Sequence, residues 1–339
     1  MIAFLIYLPF LLVFVIFAVY AERKVSAFMQ DRLGPMVVGK YGILQSFADV
    51  LKMMQKEDII ALAADRKLFV IAPLVIFVSV FTGFAVLPLT VNIQGSAAET
   101  GIYFLLAVIS LDVIGILMAG WGSNSKFSLF GAMRSVAQIV SYEIPLGLSI
   151  LCVIMLTQTL SLQEISFQQV GTLGFINWNI IQYPFLFIPF VIYFIASLAE
   201  SNRTPFDLPE AESELIGGFH TEYSGFRWAV IMLSEYGMML LVSLIAVILF
   251  FGSWNTPLPN VGPVLLGDWT SGTAGELSSD LWGTFWLLSK AMLMIFLQMW
   301  VRWTYPRIRV DQMMSLSWKY LTPIGLFMVF VSGFWKIWM

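Results

Sequence analysis

One cysteine, Cys152, and one histidine, His220, are all the thiol and imidazole this chain carries. That scarcity excludes a disulfide framework, a cysteine-ligated zinc site and an iron–sulfur cluster held by this chain alone. Cys152 stands inside an apolar run, the usual setting of a small buried hydrophobe. No glycine-rich fingerprint follows a predicted strand, so the sequence offers no nucleotide cradle. If the protein takes part in redox chemistry, another chain must carry the electrons. Charge is scarce too: 12% of the 339 residues are Asp, Glu, Lys or Arg, where a soluble domain has about 25%. No basic stretch precedes the first apolar run, and Arg23 and Lys24 follow it. That order describes a first spanning helix rather than a cleaved leader. No internal repeat or low-complexity segment is visible.

What the chain has in abundance is apolar surface, 59% of its residues. A soluble packing could not cover it. Hydropathy and a span of ~20 residues predict an all-α, polytopic membrane protein. Eight helices are expected, at roughly 2–21, 68–90, 101–121, 133–157, 181–199, 226–251, 281–302 and 318–336. Lys and Arg fall in the odd connections, from Arg23 to Lys67, at Lys126, at Arg203, and at Arg307 and Arg309. The even connections, about 91–100, 158–180 and 252–280, hold neither. By the positive-inside rule both termini lie outside and the odd connections inside. The chain reads as one membrane domain, with long inside connections at 22–67 and 200–225. In the first of these, Ile43, Phe47, Val50, Leu51 and Met54 recur at helical spacing, opposite Gln45, Asp49, Lys52 and Lys56. Such a stretch suits a helix lying in the membrane interface, or equally one packed on a neighbouring subunit.

Several ionisable residues fall where charge is expensive. By the helical rise, Asp112 lies about 14 Å, Glu143 about 15 Å and Glu235 about 14 Å into their spans from the inside. Lys290 sits near the middle of the seventh span, so all four are expected at one depth. Acids there cannot snorkel, cost ~2.5–3.5 kcal/mol to insert, and mark proton or ion paths. The competing reading is an internal ion pair, for instance Lys290 with one carboxylate. Pro145 and Gly237, each two residues past an acid, are expected to loosen the helix locally. The connection after the fifth span holds Glu200, Asp207, Glu210, Glu212, Glu214 and Glu222 against Arg203 alone. Pro205 and Pro209 keep 204–209 from regular helix. Crowded carboxylates repel one another and titrate together. A solvated acidic loop is the plainer alternative, yet Phe206, Leu208, Leu215, Ile216 and Phe219 are interleaved with the acids.

Four blocks now stand in order: ERKVSAFMQDRLGPMVVGKYGILQSFADVLK (22–52), GWGSNSKFSLFGAMRSVAQIVSYEIPLGL (120–148), ESNRTPFDLPEAESELIGGFHTEYSG (200–225) and VRWTYPRIRVDQMMSLSWKYLTP (301–323). Together they resemble the H subunit of bacterial NADH-quinone oxidoreductase, the counterpart of chain 1 of mitochondrial respiratory complex I. The resemblance spans nearly the whole chain. It implies a place at the heel of the membrane arm of a proton-translocating enzyme, in a bacterial inner membrane. Quinone would be the substrate, in a chamber shared with peripheral-arm subunits. NADH, FMN and the iron–sulfur clusters would belong to partners, beside small membrane-arm subunits and lipid. The resemblance implies chamber positions at Arg23, Arg32, Asp49, Lys52 and Arg302. It implies a proton path through Glu143, Glu200, Arg203, Asp207, Glu210, Glu212, Glu214 and Glu235. Asp112 joins that path on depth alone, and Met36 and Val310 depart from the residues common at those positions. Two other functions compete: the membrane component of an energy-converting hydrogenase, and a stand-alone secondary transporter, for which no inverted repeat is found.

Overall fold

The computed structural model describes residues 2–171, 173–208, 216–261, 264–272 and 277–338. The expected acids Glu210, Glu212 and Glu214 lie outside the described residues. Helices dominate: α1 (Ile2–Met29), α2 (Gln45–Gln55), α3 (Arg66–Phe84), α4 (Gly101–Ile109), α5 (Leu111–Gly122), α6 (Lys126–Thr157), α7 (Leu162–Gln168), α8 (Asn179–Gln182), α9 (Phe187–Glu200), α10 (Gly225–Phe250), α11 (Leu266–Ser271), α12 (Leu277–Thr304), α13 (Val310–Ser315) and α14 (Thr322–Trp338). A π-helical turn, Leu316–Leu321, joins the last two. A two-residue antiparallel pair, Asn260–Val261 with Val264–Leu265, sits in the loop before α11.

Among the described residues seven helices are long and apolar enough to cross a membrane, and an eighth apolar segment, Pro184–Glu200, is shorter. At the helical rise its 17 residues reach roughly 25 Å, against a hydrocarbon core of ~30 Å. The predicted fifth span therefore corresponds to a helix of marginal length.

The bundle is arranged around α10. From Gly237 to Phe250 every residue of that helix is buried, and a helix apolar on all sides belongs at the centre of a bundle. α3, α9 and α12 pack against it, while α6 packs on α5, α9 and α14. The outer helices turn large side chains outward, among them Phe17, Leu74, Phe130, Phe327 and Ile337. Exposed apolar surface on that scale suits lipid, not water. Cys152 is buried in the core, as its neighbours in sequence predict.

Three local expectations change. The first helix runs on to Met29 instead of ending near 21, so the ERK triplet is helical. The third span is two helices that meet at Ser110. Gly237 loosens nothing: α10 is continuous through it, and an added Cβ would fall 3.1 Å from a Val80 methyl. Its smallness serves close packing. Pro145 does free a backbone group, since it has no N–H to offer Ser141 four residues earlier. Ser317 in the π turn supplies the donor instead, its Oγ lying 2.6 Å from the Ser141 carbonyl.

Candidate functional site

Two buried polar networks meet the first half of α10 at neighbouring faces. The first centres on Glu22 of α1. Its carboxylate accepts from Arg203 Nη1 at 3.0 Å to both oxygens, from Tyr236 Oη at 2.7 Å, and from Arg302 of α12. The Arg203 guanidinium also lies 4.4 Å from the centre of the Tyr236 ring. Glu22 and Arg203 are almost completely buried, and Arg302 keeps a side-chain exposure of 25%. Four elements thus meet at one carboxylate: α1, the turn after α9, α10 and α12. A buried charge survives only when paired and hydrogen-bonded, and these partners meet that condition. The group carries two guanidiniums and one carboxylate, a residual charge of +1.

The second network is a cavity of about 10 Å³ lined by Asp112, Glu200 and Glu235, with Asn202, Ser201 and Ser234. That is the room one water needs. Asp112 Oδ1 and Glu200 Oε2 lack a hydrogen-bond partner among the described residues, so the site suits a bridging water. Glu143 lies just beyond. It accepts from Ser110 Oγ at the break between α4 and α5, two residues before Asp112, and it acts electrostatically on Glu200 together with Asp112. The break has a chemical partner.

Consecutive residues join the two networks. Glu235 lines the cavity while Tyr236 holds Glu22, and Asn202 lines the cavity while Arg203 holds Glu22. α10 and the turn after α9 each present one residue to each network.

Other expected residues fall nearby. Arg23 pairs with Asp49 at 2.5 Å, and Gln45 Nε2 supports the same carboxylate at 3.1 Å. This tie brings α2 alongside α1. The sharp entry to α2 needs Gly42, whose φ is +74° and whose added Cβ would lie 2.2 Å from the Pro35 carbonyl oxygen. Around α2, Ile43, Phe47, Val50, Leu51 and Met54 are all exposed. Arg32 and Lys52 stand apart from these networks: Arg32 bonds Gln30, and Lys52 is exposed. Asp207 pairs with Arg307 at 3.3 Å. It also acts on buried His220, whose imidazole burial pushes down to about 4. Of the stretch 204–209 expected to be non-helical, residues 204–208 are described and are non-helical.

The expectation of four ionisable groups at one depth is corrected at Lys290. Its ammonium bonds backbone carbonyls beyond Phe250, at the far end of α10, and among the described residues no carboxylate. It lies about 18 Å of helical rise from Arg302, on the side away from the acids. Two site residues escaped the sequence reading. Glu22 was placed in a connection because hydropathy ends the first span too early. Tyr236 was one aromatic among many, and only its place beside Glu235 marked it.

Comparisons of the sequence with known proteins point to one family. A family profile described as "NADH dehydrogenase" matches residues 2–333. The second H subunit of the NADH-quinone oxidoreductase of Cytophaga hutchinsonii is 55% identical, over 98% of this chain and 98% of its own. The H subunit of the NADH-quinone oxidoreductase of Chlorobium luteolum is 54% identical over 95% of this chain and 84% of its own. The protein of that name from a Geobacillus species is 45% identical over 95% and 89%.

Proposed function

The chain belongs to the NADH dehydrogenase family that includes the H subunits of bacterial NADH-quinone oxidoreductases, and from that premise we propose how its buried charges serve respiratory complex I. It is a multi-pass protein of the bacterial inner membrane and a membrane-arm component of that complex. In our reading Pro184–Glu200 is the eighth span, both termini face outward, and the whole chain acts as one membrane domain. A segment of roughly 25 Å suffices where the bilayer thins locally, as it does around short spans.

Quinone enters from the lipid between α1, α2 and α10, and the exposed Phe47, Leu51 and Met54 of α2 suit an isoprenoid tail. Peripheral-arm subunits close the chamber and bring NADH, FMN and the iron–sulfur clusters. On this side Arg23, Arg32, Asp49, Lys52 and Arg302 set the field, and cationic groups favour the anionic forms of a quinone under reduction. An anion arriving near Arg302 competes with Glu22 for that guanidinium. The balance around Glu22 then shifts, and Arg203 and Tyr236 carry the change to the neighbouring face of the same two elements. There Asp112, Glu143, Glu200 and Glu235 exchange protons through the cavity, with Asp207, Glu210, Glu212 and Glu214 feeding them from the inside.

One observation carries this reading: Glu235 and Tyr236 are neighbours in sequence yet face the carboxylate cavity and the Glu22 group respectively. The test is a pair of charge-neutral variants, Glu143→Gln and Glu235→Gln, in the whole complex reconstituted in vesicles. Assembly stays intact and coupled turnover is lost. Normal quinone reduction with normal proton pumping in both variants refutes the proposal.

A further inference from the structure

Lys290 belongs to neither network. Its ammonium donates to Phe251 O at 2.9 Å, Ser253 O at 2.9 Å and Asn255 O at 2.7 Å, and it stands 4.6 Å from the centre of the Trp178 ring. Among the described residues it pairs with no carboxylate.

The surroundings are built for a cation. A helix ends with four carbonyls that lack partners within it. At this end of α10 amide side chains supply two of them, Gln169 Nε2 to Ile248 O at 2.9 Å and Asn179 Nδ2 to Leu249 O at 2.8 Å. The N–H groups of Phe251 and Ser253 both turn back to Val247 O at 3.0 Å. The next carbonyls are thereby left to converge on one point. Gly252 makes the turn at a φ of +72°, and an added Cβ would fall 2.3 Å from the Trp178 indole. Only glycine lets the ring close the cage. Three converging carbonyls match the three N–H donors of a primary ammonium. The negative end of the helix dipole and the face of the indole both favour a positive charge there.

We propose that the far end of α10 is a binding site for a monovalent cation of ammonium size, and that Lys290 is its tethered occupant, fastening α10 to α12. The carbonyls replace the hydration shell of the ion, as carbonyl rings do for potassium. Nothing in this proposal depends on quinone or on the carboxylate path.

Lys290→Ala in the whole complex removes three carbons and the ammonium, which n-propylammonium supplies again. The variant shows a lower thermal midpoint in detergent and slower NADH:quinone turnover. Millimolar n-propylammonium restores both, and potassium restores part. Tetramethylammonium at equal ionic strength restores neither, because it has no N–H to donate. A variant that melts like the wild type overturns the proposal. So does rescue by tetramethylammonium as good as by n-propylammonium, or rescue by no cation. Should Lys290→Ala fail to assemble, Trp178→Phe and Trp178→Leu decide. The phenylalanine keeps a π face and loses less of the midpoint than the leucine; equal losses refute the cage. The deciding readouts are the thermal midpoint and its cation selectivity, with turnover only an accompanying effect, so their failure leaves the quinone reading untouched.

Discussion

Replacing Glu22 by glutamine removes one charge from a place where three side chains depend on it. The carboxylate holds Arg203, Arg302 and Tyr236. With glutamine there, the local charge rises from +1 to +2, counting the two guanidiniums and the lost carboxylate. At an effective dielectric near 20 and about 4 Å, one charge pair is worth roughly 4 kcal/mol. Desolvation offsets much of that in the intact group, so the loss is set by the charge left stranded, ~3–5 kcal/mol for a buried partner. Arg203, almost completely buried, loses the carboxylate it bonds and keeps only the weaker influence of Glu235 and Tyr236. Arg302 keeps access to water at 25% exposure and contributes less. Glu22→Gln is therefore expected to lower the amount of assembled complex in membranes and the thermal midpoint of what assembles. Adding Arg302→Gln returns the local charge to +1, and the double variant recovers part of the loss. A coupling of ~0.5–3 kcal/mol is the range for side chains in one network. The assay is a double-mutant cycle on the thermal midpoint of the purified complex. Simple additivity, or a Glu22→Gln complex as stable as the wild type, would falsify the view that Glu22 organises this site.

Two further outcomes follow from the same geometry. Ser317→Ala leaves the Ser141 carbonyl without the donor that Pro145 denies it, at a loss of ~1–3 kcal/mol for a buried unpaired group; Ser317→Thr keeps the hydroxyl and the midpoint, and an alanine variant melting like the wild type refutes the link. His220 titrates near 6.5 when unfolded and is pushed down to about 4 by burial, with Asp207 opposing. The unfolded chain therefore binds the extra proton first, and the stability present above pH ~6.5 is lost as pH falls toward ~4, by about 3 kcal/mol at most. Melting curves across that window should flatten in His220→Asn, and an unchanged slope counts against the assignment.

Much of the architecture was legible because a membrane imposes simple rules. Apolar runs long enough to span located every long helix among the described residues. The limits of that reading are physical. Hydropathy ends a helix at its first charges, whereas α1 continues through Glu22 because Arg203 and Arg302 neutralise it from other elements. Depth along one helix also says nothing about where another helix stops. Lys290 counts as central on α12, yet α10 ends beside it, so it meets carbonyls instead of acids. Asp112, Glu200 and Glu235 were singled out one at a time by their depth or by the crowding of acids. Their meeting in one cavity required the packing of α5, α9 and α10.

The encasement of α10 limits how one face of the chain can inform the other. Successive residues of a helix point about 100° apart, so Glu235 and Tyr236 could in principle act as a crank, turned on one side and felt on the other. A helix buried without interruption from Gly237 to Phe250 has no slack in which to turn, since a protein interior is packed like a crystal. α10 is then better understood as a dividing wall than as a lever. What crosses it must be carried by the field of a displaced charge or by small movements of side chains at its two faces.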